Sequence, residues 1–316
     1  MSRGLISVII PVRNGGEDLR RCLEAIRNQK VGDGEVEIVV IDSSSTDGSA
    51  QLARTLGARV EVIPVEHFNH GATRNLGADL AQGDVLIFTS QDAVAVDSDW
   101  LAGLTAPLED PRVAGVYGRQ LAYPGAVPPE RYFLDFLYGP APRVQEVGSS
   151  GELSMEATMF SNVNAAIPRR IFDRFRFVDD IIMSEDQEWA RRVLIAGHRL
   201  VYEPRAAVRH SHDYGLRSAF KRFFDSGASA ERAYLAGGRP ARGVLRSAAW
   251  RYARGEFAWL WSTGQRRWIP YTVVYELFKF IGLQLGARHM LLPLALKRRL
   301  SALPAYWDTY RSADPR

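Results

Sequence analysis

Polar side chains follow short apolar runs at several places in this sequence, and their types can bind a cation, bind an anion or move a proton. The apolar run "VLIFTS" is followed by Gln91 and by a single carboxylate, Asp92. A carboxylate at the end of a buried strand is a candidate metal ligand, although a site that holds both a metal ion and a diphosphate usually offers two. Whether one carboxylate suffices there depends on the residues around it.

The stretch "HFNHGATRN" has the pattern of an anion site at the start of a helix. Gly71 allows a turn to open into a helix, whose first amides and dipole favour an anion. Arg74, one turn into this helix, can place its planar guanidinium on a phosphate, and His70 and Asn75 can orient it or contact a sugar. The alternative is a capped helix with Arg74 on a solvated face.

Asp42 and Ser44, in "EIVVIDSSSTDGS", form a second candidate binding group. A carboxylate at a strand end can accept the N–H of a pyrimidine or a ribose hydroxyl, and the hydroxyl-rich turn adds ribose contacts. The alternative is that Asp42 only caps the next helix. The sequence has no G-x-G-x-x-G motif after its first strand and no G-x-x-x-x-G-K-[ST] motif, which argues against dinucleotide-dependent dehydrogenases and P-loop enzymes.

The elements that must position these residues alternate between strand and helix over the first 120 residues. Short Val- and Ile-rich runs predict strands at 5–12, 35–42, 59–65 and 84–90, and amphipathic segments predict helices near 16–29, 45–57 and 71–82. This rhythm predicts a mostly parallel sheet with helices on both faces. Ligands of such sheets bind outside the carboxyl ends of the strands, which is where the polar residues fall.

Composition and charge limit the possible functions further. The 316-residue chain contains one cysteine, Cys22, which we expect to fill the core. No apolar run approaches the length of a membrane span, and the N-terminus lacks a signal-peptide pattern, so we expect a cytoplasmic location. Residues 1–212 contain 22 Lys and Arg against 29 Asp and Glu, whereas residues 213–316 contain 18 against 7. Because no nucleic-acid-binding motif accompanies the basic end, we expect no nucleic acid partner.

Four stretches together resemble a known family. "SVIIPVRNGGEDLRRCLEAIRNQ", "EIVVIDSSSTDGS", the strand ending at Asp92 and "SEDQEWARRVLIAG" resemble the family 2 glycosyltransferases of the GT-A fold, over residues 4 to 212. "EHFNHGATRNLGADLAQGDVLIFTSQDA" and "GVYGRQLA" are similar to bacterial rhamnosyltransferases of cell-surface polysaccharide assembly, which use dTDP-L-rhamnose. The resemblance implies inverting transfer from a dTDP-sugar to a saccharide acceptor, which can be lipid-linked.

The resemblance also assigns roles. It implies that Asp92 binds Mg²⁺ or Mn²⁺, although many relatives carry a second acidic residue there; Mg²⁺ needs only one or two protein carboxylates when substrate phosphates complete its coordination. His210 or His212 is a candidate third protein ligand, and imidazole favours Mn²⁺; the alternative is that both are ordinary polar groups. The acidic pair supplies the base, which we assign to Asp186, with Glu185 binding acceptor or capping the helix. The donor-binding residues it implies are Pro11, Arg13, Asn14, Asp42, Ser44, His70, Arg74 and Gln91. The acceptor contacts we expect are Trp100, Asn162 and Asn164.

Outside these motifs, two segments carry predictions of their own. The aperiodic segment 139–153 predicts a lid over the donor. Residues 214–316 predict a basic, amphipathic helical extension to a catalytic domain at 1–213, and this extension either contacts an anionic membrane surface or packs on the sheet or in a homodimer. Two other functions remain open, namely transfer of another dTDP- or UDP-linked hexose, and a non-catalytic nucleotide-sugar-binding partner.

Overall fold

The structure is a computed structural model that describes residues 4–30, 34–148, 153, 157–230, 232–233 and 242–309. Its strands are β1 (Ile6–Val12), β2 (Val36–Asp42), β3 (Arg59–Val62), β4 (Val85–Thr89), β5 (Val94–Ala95), β6 (Val113–Leu121), β7 (Arg143–Gln145), β8 (Asn164–Pro168) and β9 (Arg199–Arg209). Its helices are α1 (Gly16–Arg27), α2 (Ser49–Thr55), α3 (His70–Leu80), α4 (Trp100–Thr105), α5 (Pro128–Leu137), α6 (Arg169–Phe172), α7 (Glu185–Ile195), α8 (Leu216–Ala230), α9 (Arg242–Ser262), α10 (Ile269–Gly286), α11 (Leu294–Leu300) and α12 (Tyr306–Thr309).

All the strands join one sheet in the order β3-β2-β1-β4-β8-β6-β9-β5, and β7 also pairs with β9. Strands β1 to β4 are parallel to one another, and β6 is parallel to β9. Strand β8 is antiparallel to both of its neighbours, so the carboxyl ends of β1, β2, β4, β6 and β9 lie on one edge, together with the start of β8. The predicted α/β class with a mostly parallel sheet is confirmed.

Helix α1 shows how the sequence pattern produces these layers. Its side chains Leu19, Cys22, Leu23 and Ile26 follow the i, i+3, i+4, i+7 spacing and are all buried against the sheet. Helix α3 begins after Asn69, whose side chain accepts hydrogen bonds from the amides of Gly71 and Ala72. An added Cβ at Gly71 would lie 1.9 Å from the carbonyl oxygen of Val178, so this turn requires glycine.

The segment predicted as a lid, 139–153, is only partly covered by the description. Residues Arg143–Gln145 form β7, which pairs antiparallel with β9, so this portion is part of the sheet. Residues 149–152 lie outside the described residues. The lid therefore stays a prediction for the portion after β7.

The C-terminal helices form a layer organised around the pair α8 and α10. An added Cβ at Gly286 would lie 1.9 Å from the carbonyl oxygen of Phe224, so glycine permits these two backbones to touch. The buried face of α10 carries Thr272, Tyr275, Lys279, Gly282 and Gly286. Its outer face exposes Val273, Val274, Leu277, Phe280 and Ile281. Within the described part of the chain, no helix has the length and apolar character needed to cross a membrane.

Candidate active site

The polar residues predicted from the sequence gather on the edge where the parallel strands end. Asp42 is the last residue of β2, while Asp92 follows β4 and His210 follows β9. Strand β8 starts on the same edge, since Asn164 pairs with Thr89. Just before β8, the backbone N–H of Asn162 donates to Oδ2 of Asp186 at 3.1 Å. The candidate metal ligands and the candidate base thus share one edge of the sheet.

Asp92, His210 and His212 form a cluster whose potential ligand atoms all lie within 4.8 Å of one another. Nε2 of His210 lies 3.6 Å from Oδ1 of Asp92, and Nε2 of His212 lies 3.6 Å from Oδ2. A carboxylate with two imidazoles suits Mn²⁺ and similar ions better than Mg²⁺, which prefers oxygen ligands. The structure brings both histidines to the carboxylate, where the sequence had left the choice between them open.

The hydrogen bonds around His210 orient its ring for this role. Nε2 of Gln120 donates to the hydroxyl oxygens of Tyr138 at 2.6 Å and Ser161 at 2.9 Å, which leaves Oε1 of Gln120 as an acceptor. Nδ1 of His210 lies 2.9 Å from that oxygen and is therefore the protonated nitrogen. Burial lowers the pKa of His210 to about 4, so the ring is neutral at pH 7. The Nε2 lone pair consequently points toward Asp92, an arrangement that a cation between them would stabilise.

Glu185 and Asp186 begin α7 and occupy different environments. Glu185 is buried, and its Oε1 lies 3.2 Å from the Arg74 guanidinium and accepts from Nδ2 of Asn162 at 3.1 Å. Burial acts to raise the pKa of Glu185, but Arg74 and then His70 hold it below its usual value. Asp186 is half-buried, and burial followed by the Glu185 charge raises its pKa to about 7. A carboxylate with a pKa near 7 is suited to accept a proton at neutral pH.

The structure places Arg74 beside the acidic pair. We expected its guanidinium to contact a phosphate, but Arg74 is 6% exposed and pairs with Glu185. It also donates to the carbonyl oxygen of His70 at 3.0 Å. In the structure this cation supports the acidic pair, and its contact with a phosphate stays a prediction. His70 itself is half-buried, and burial lowers its pKa to about 4.

The other predicted donor residues stand at the ends of β1, β2 and β4. Pro11 is half-buried within β1, and Arg13 and Asn14 are exposed after it. The backbone of Arg13 exchanges two hydrogen bonds with the Gln91 side-chain amide, at 2.8 and 3.2 Å, which ties the ends of β1 and β4 together. The Gln91 side chain therefore links these two strand ends.

Asp42 and two strained residues lie nearby. Oδ1 of Asp42 accepts from the amide of Ser45 at 2.8 Å, while Oδ2 is buried without a hydrogen-bond partner. Asn14 and Ser44 both adopt left-handed backbone conformations, with φ of 49° and 56°, and so does Ser184 before the acidic pair, with φ of 66°. Non-glycine residues of this kind are uncommon and concentrate at functional sites.

The three predicted acceptor contacts are buried in this structure, and their role stays a prediction. Trp100 and Asn164 are 1% and 0% exposed, and the indole Nε1–H donates to Oδ1 of Asn164 at 2.8 Å. Asn162 is 2% exposed and bonds to both members of the acidic pair. These side chains are closed to an acceptor in this structure because they join α4, β8 and α7 internally.

Sequence reasoning missed two kinds of residue. Gln120 orients His210, yet its signal was available, because a polar residue near the end of the apolar strand "VAGVYGRQL" stands on the same edge as the other candidates. The second kind comes from the C-terminal helices. The Arg222 guanidinium on α8 lies 5.8 Å from the Tyr214 ring, which in turn lies 5.0 Å from the His212 ring. The sequence alone gave no reason to connect α8 with the Asp92–His210–His212 cluster.

Comparisons with known proteins agree with this arrangement. Residues 7–176 match the family described as Glycosyl transferase family 2. The chain is 33% identical, over 96% of each sequence, to the O-antigen chain rhamnosyltransferase RfbN of Salmonella typhimurium. It is 32% identical, over 89% of each sequence, to the O-antigen chain rhamnosyltransferase WbaN of Salmonella anatum.

A solved structure resembles the fold as a whole. The mannosyltransferase PcManGT from Pyrobaculum calidifontis, in complex with GDP-Man and Mn²⁺, superposes with a TM-score of 0.60 at 20% identity, covering 90% of this chain and 87% of that one. At this identity the likeness concerns the fold alone. The GT-A fold predicted from the sequence is confirmed.

Proposed function

The chain belongs to glycosyl transferase family 2 and is a glycosyltransferase, and from that premise we propose that it moves L-rhamnose from dTDP-L-rhamnose to a saccharide acceptor in cell-surface polysaccharide synthesis. The observation that carries the proposal is the shared strand edge, on which the Asp92–His210–His212 cluster stands together with Asp186. Rhamnose is the sugar in the names of both Salmonella relatives. Transfer from a nucleotide sugar is assisted by positive charge near the leaving diphosphate and by a base near the acceptor, and the residues on this edge are suited to both roles.

Asp42 supports a pyrimidine nucleotide as the donor. Its buried Oδ2 has no hydrogen-bond partner, and a buried acceptor of this kind stabilises the fold best when a donor group reaches it. The N3–H of thymine is such a group, and uracil presents the same one. The strained conformations of Asn14 and Ser44 support a functional role for these two turns, which we assign to contacts with the ribose.

Asp186 is the base in the proposed step. Its carboxylate takes the proton of the acceptor hydroxyl as the hydroxyl oxygen attacks the anomeric carbon from the face opposite the nucleotide. The bond from that carbon to the diphosphate oxygen breaks, and dTDP leaves with the electron pair. One displacement inverts the configuration, so a β-linked donor gives an α-L-rhamnoside.

Asp92, His210 and His212 would hold the divalent cation. Their donor set fits Mn²⁺, and the hydrogen bond from His210 to Gln120 fixes the ring nitrogen that faces the site. When bound, the cation would offset the charge that develops on the departing diphosphate. Arg74 and Asn162 meanwhile hold Glu185 in place, so that its buried charge keeps the pKa of Asp186 raised.

A panel of donors tests the proposal. The wild-type chain, with Mn²⁺ and a rhamnose-accepting saccharide, should transfer sugar from dTDP-L-rhamnose in preference to dTDP-glucose and UDP-hexoses. Asp92→Asn should remove the metal-dependent turnover, while Asp97→Asn, a few residues away, should retain it. Preference for another hexose donor would identify a different glycosyltransferase. Donor binding without transfer or hydrolysis would identify a non-catalytic partner.

The outer face of α10 supports a second part of the proposal, contact with an anionic membrane surface. Leu277 and Phe280 are 52% and 55% exposed, whereas Lys279 between them is buried. Arg266 and Arg267 precede the helix and Arg288 follows it. Basic side chains attract anionic lipids by about 1 kcal/mol each, and an apolar face enters the boundary between headgroups and acyl chains. The basic excess after residue 212 favours lipid over a second copy of this chain as the occupant.

We keep the division near residue 213 as part of this proposal. The sheet portion carries the chemistry, and the helical portion holds it against the membrane, where a lipid-linked acceptor would be available. Flotation decides the point. The wild-type chain should float with vesicles that contain phosphatidylglycerol and detach at high salt, and Leu277→Glu should stay in the soluble fraction.

The matched control is Val62→Glu, which places the same charge on an exposed apolar position of β3 and should float normally. Sedimentation of the same protein samples tests whether the chain forms a homodimer. A wild-type chain that ignores vesicles but forms a dimer, which Leu277→Glu dissociates, would replace the membrane with a second copy of the chain.

A further inference from the structure

A cavity of about 340 Å³ opens between the starts of α3 and α7 on one side and α8 on the other. Its walls include His70 from the start of α3, Met183 before the acidic pair, and Tyr214, Lys221 and Arg222 from the C-terminal side. Two basic residues therefore face a space that begins two residues from Glu185. The sequence assigned no function to either of them.

Lys221 and Arg222 lack an ion-pair partner among the residues that the structure describes. Arg222 differs in this respect from Arg74, whose guanidinium is paired with Glu185 at 3.2 Å from its Oε1. Arg222 is exposed toward the cavity, and its guanidinium stands over the Tyr214 ring at 5.8 Å. An arginine held by an aromatic ring and without a carboxylate partner is available for an anionic ligand.

The cavity adjoins the Asp92–His210–His212 cluster through Tyr214. The Tyr214 and His212 rings are 5.0 Å apart, and the His212 and His210 rings are 4.6 Å apart. Because the Arg222 guanidinium stands over the Tyr214 ring, two further ring contacts connect it with His210. Arg222 therefore lies on the side of the cavity that adjoins the residues that would hold the cation.

We propose that Arg222, assisted by Lys221, binds the diphosphate of a substrate in this cavity. The inference rests on the proposed function, and it gives the phosphate-binding role expected of Arg74 to a residue of the C-terminal helices. Two substrates of the reaction can carry a diphosphate, the nucleotide-sugar donor and a lipid-linked acceptor. Their shared group is a chain of two phosphates, for which a guanidinium offers paired hydrogen bonds.

Three probes and three variants test the assignment. The probes are dTDP with Mn²⁺, geranyl diphosphate as a short lipid diphosphate, and inorganic pyrophosphate, each titrated calorimetrically into the full chain. The variants are Arg222→Gln, the charge-retaining Arg222→Lys, and Arg217→Gln as a control on the same helix, outside the cavity walls. Thymidine serves as a ligand without phosphate.

Arg222→Gln should weaken pyrophosphate binding about tenfold and leave thymidine binding unchanged, while Arg222→Lys should recover part of the loss and Arg217→Gln should resemble wild type. A parallel loss for dTDP assigns the cavity to the donor, and a loss confined to geranyl diphosphate and pyrophosphate assigns it to the acceptor. Unchanged affinity for all three probes in Arg222→Gln overturns the proposal. If Arg222→Gln fails to fold, unchanged affinities in Arg222→Lys and Lys221→Gln overturn it as well.

The outcome separates this proposal from the proposed function. A wild-type chain that transfers rhamnose, with a variant that binds every probe normally, refutes the role of Arg222 alone. A wild-type chain that binds pyrophosphate through Arg222 but transfers no sugar refutes the proposed function alone.

Discussion

Strand β1 buries its apolar side chains, whereas helix α10 exposes many of its apolar side chains to solvent. In β1, Val8, Ile9 and Ile10 are completely buried between layers of helices. In α10, Leu277 and Phe280 are about half exposed, and the buried positions carry Thr272, Lys279 and two glycines. The sheet gains its stability from apolar burial, which contributes about 25 cal/mol per Å². The α8–α10 pair adds a second source of stability to its own apolar cluster, which includes Phe220, Phe224 and Leu285.

That source is close backbone packing together with a buried cation. Gly282 and Gly286 allow the backbones of α8 and α10 to touch, as small residues do between helices in lipid. Nζ of Lys279 lies 2.6 Å from Oε1 of Glu276 and 4.9 Å from the ring centroids of Phe133 and Phe223. Because these contacts hold α10 from its polar side, its apolar side stays available for another surface. The sheet region therefore buries its apolar side chains in its own core, whereas α10 leaves an apolar face exposed to solvent.

The largest expected effect separates the chemistry of the sheet region from the contacts of the helices. Asp186→Asn should lower turnover by a factor of about 10² or more, because a carboxamide cannot take the proton from the hydroxyl of the acceptor sugar. Affinity for dTDP and flotation with vesicles should stay near wild type. Steady-state kinetics and binding titration measure both quantities, and Glu188→Gln in the same turn of α7 is the control. Full activity of Asp186→Asn would remove the assigned base.

The next effect tests how α10 is held. Lys279→Met should lower the free energy of unfolding by about 2 kcal/mol, because Glu276 loses its partner; the cost stays below that of a fully buried pair, since Glu276 is 20% exposed. Chemical denaturation measures the change. The control, Arg20→Met, breaks the exposed pair with Glu17 and should cost less than about 1 kcal/mol. Equal costs for the two variants would contradict the special role of Lys279.

The smallest effect is a pH dependence that belongs to the sheet region alone. Burial and then the Glu185 charge raise the pKa of Asp186 to about 7, and the base acts only when ionised. Turnover at saturating donor should therefore fall about tenfold per pH unit below 7 and level off above it. Vesicle binding through arginines should not follow this curve. A turnover that stays constant from pH 5.5 to 7 would contradict the raised pKa.

The repeating half of the fold could be predicted closely from the sequence. The strand runs at 5–12, 35–42 and 84–90 appear as Ile6–Val12, Val36–Asp42 and Val85–Thr89, because parallel strands buried on both faces need continuous Val and Ile. Strands β5 to β9 were mostly missed. They include antiparallel pairs and short edge strands, which lack the alternation with helices that made the first four recognisable.

Residue roles were harder to predict than elements, because partners far apart in sequence decide them. Asp92 was expected at the end of a strand, whereas His210 or His212 was expected beside it only through the family resemblance. Arg74 had the type and position of a phosphate ligand, yet Glu185, 111 residues away, pairs with it. Trp100 was placed at the acceptor by resemblance, and its burial follows from an indole bond to a residue 64 positions later. A sequence pattern shows the type of each residue. Which arginine or lysine has no carboxylate partner can be read only from the folded structure.

The passage from β9 to α8 has a consequence for anyone who shortens this chain. Only Asp213, Tyr214 and Gly215 lie between His212 and the first residue of α8, and four backbone steps reach at most about 14 Å. The carboxylate of Asp213 also accepts from the amide of Val127 at 3.1 Å, which anchors this connecting segment to the rest of the chain. A cut at the apparent domain boundary would therefore remove the α8 wall of the cavity and release the segment after β9 that carries both histidines. A fragment that ends there would combine the loss of the helices with the loss of this anchor.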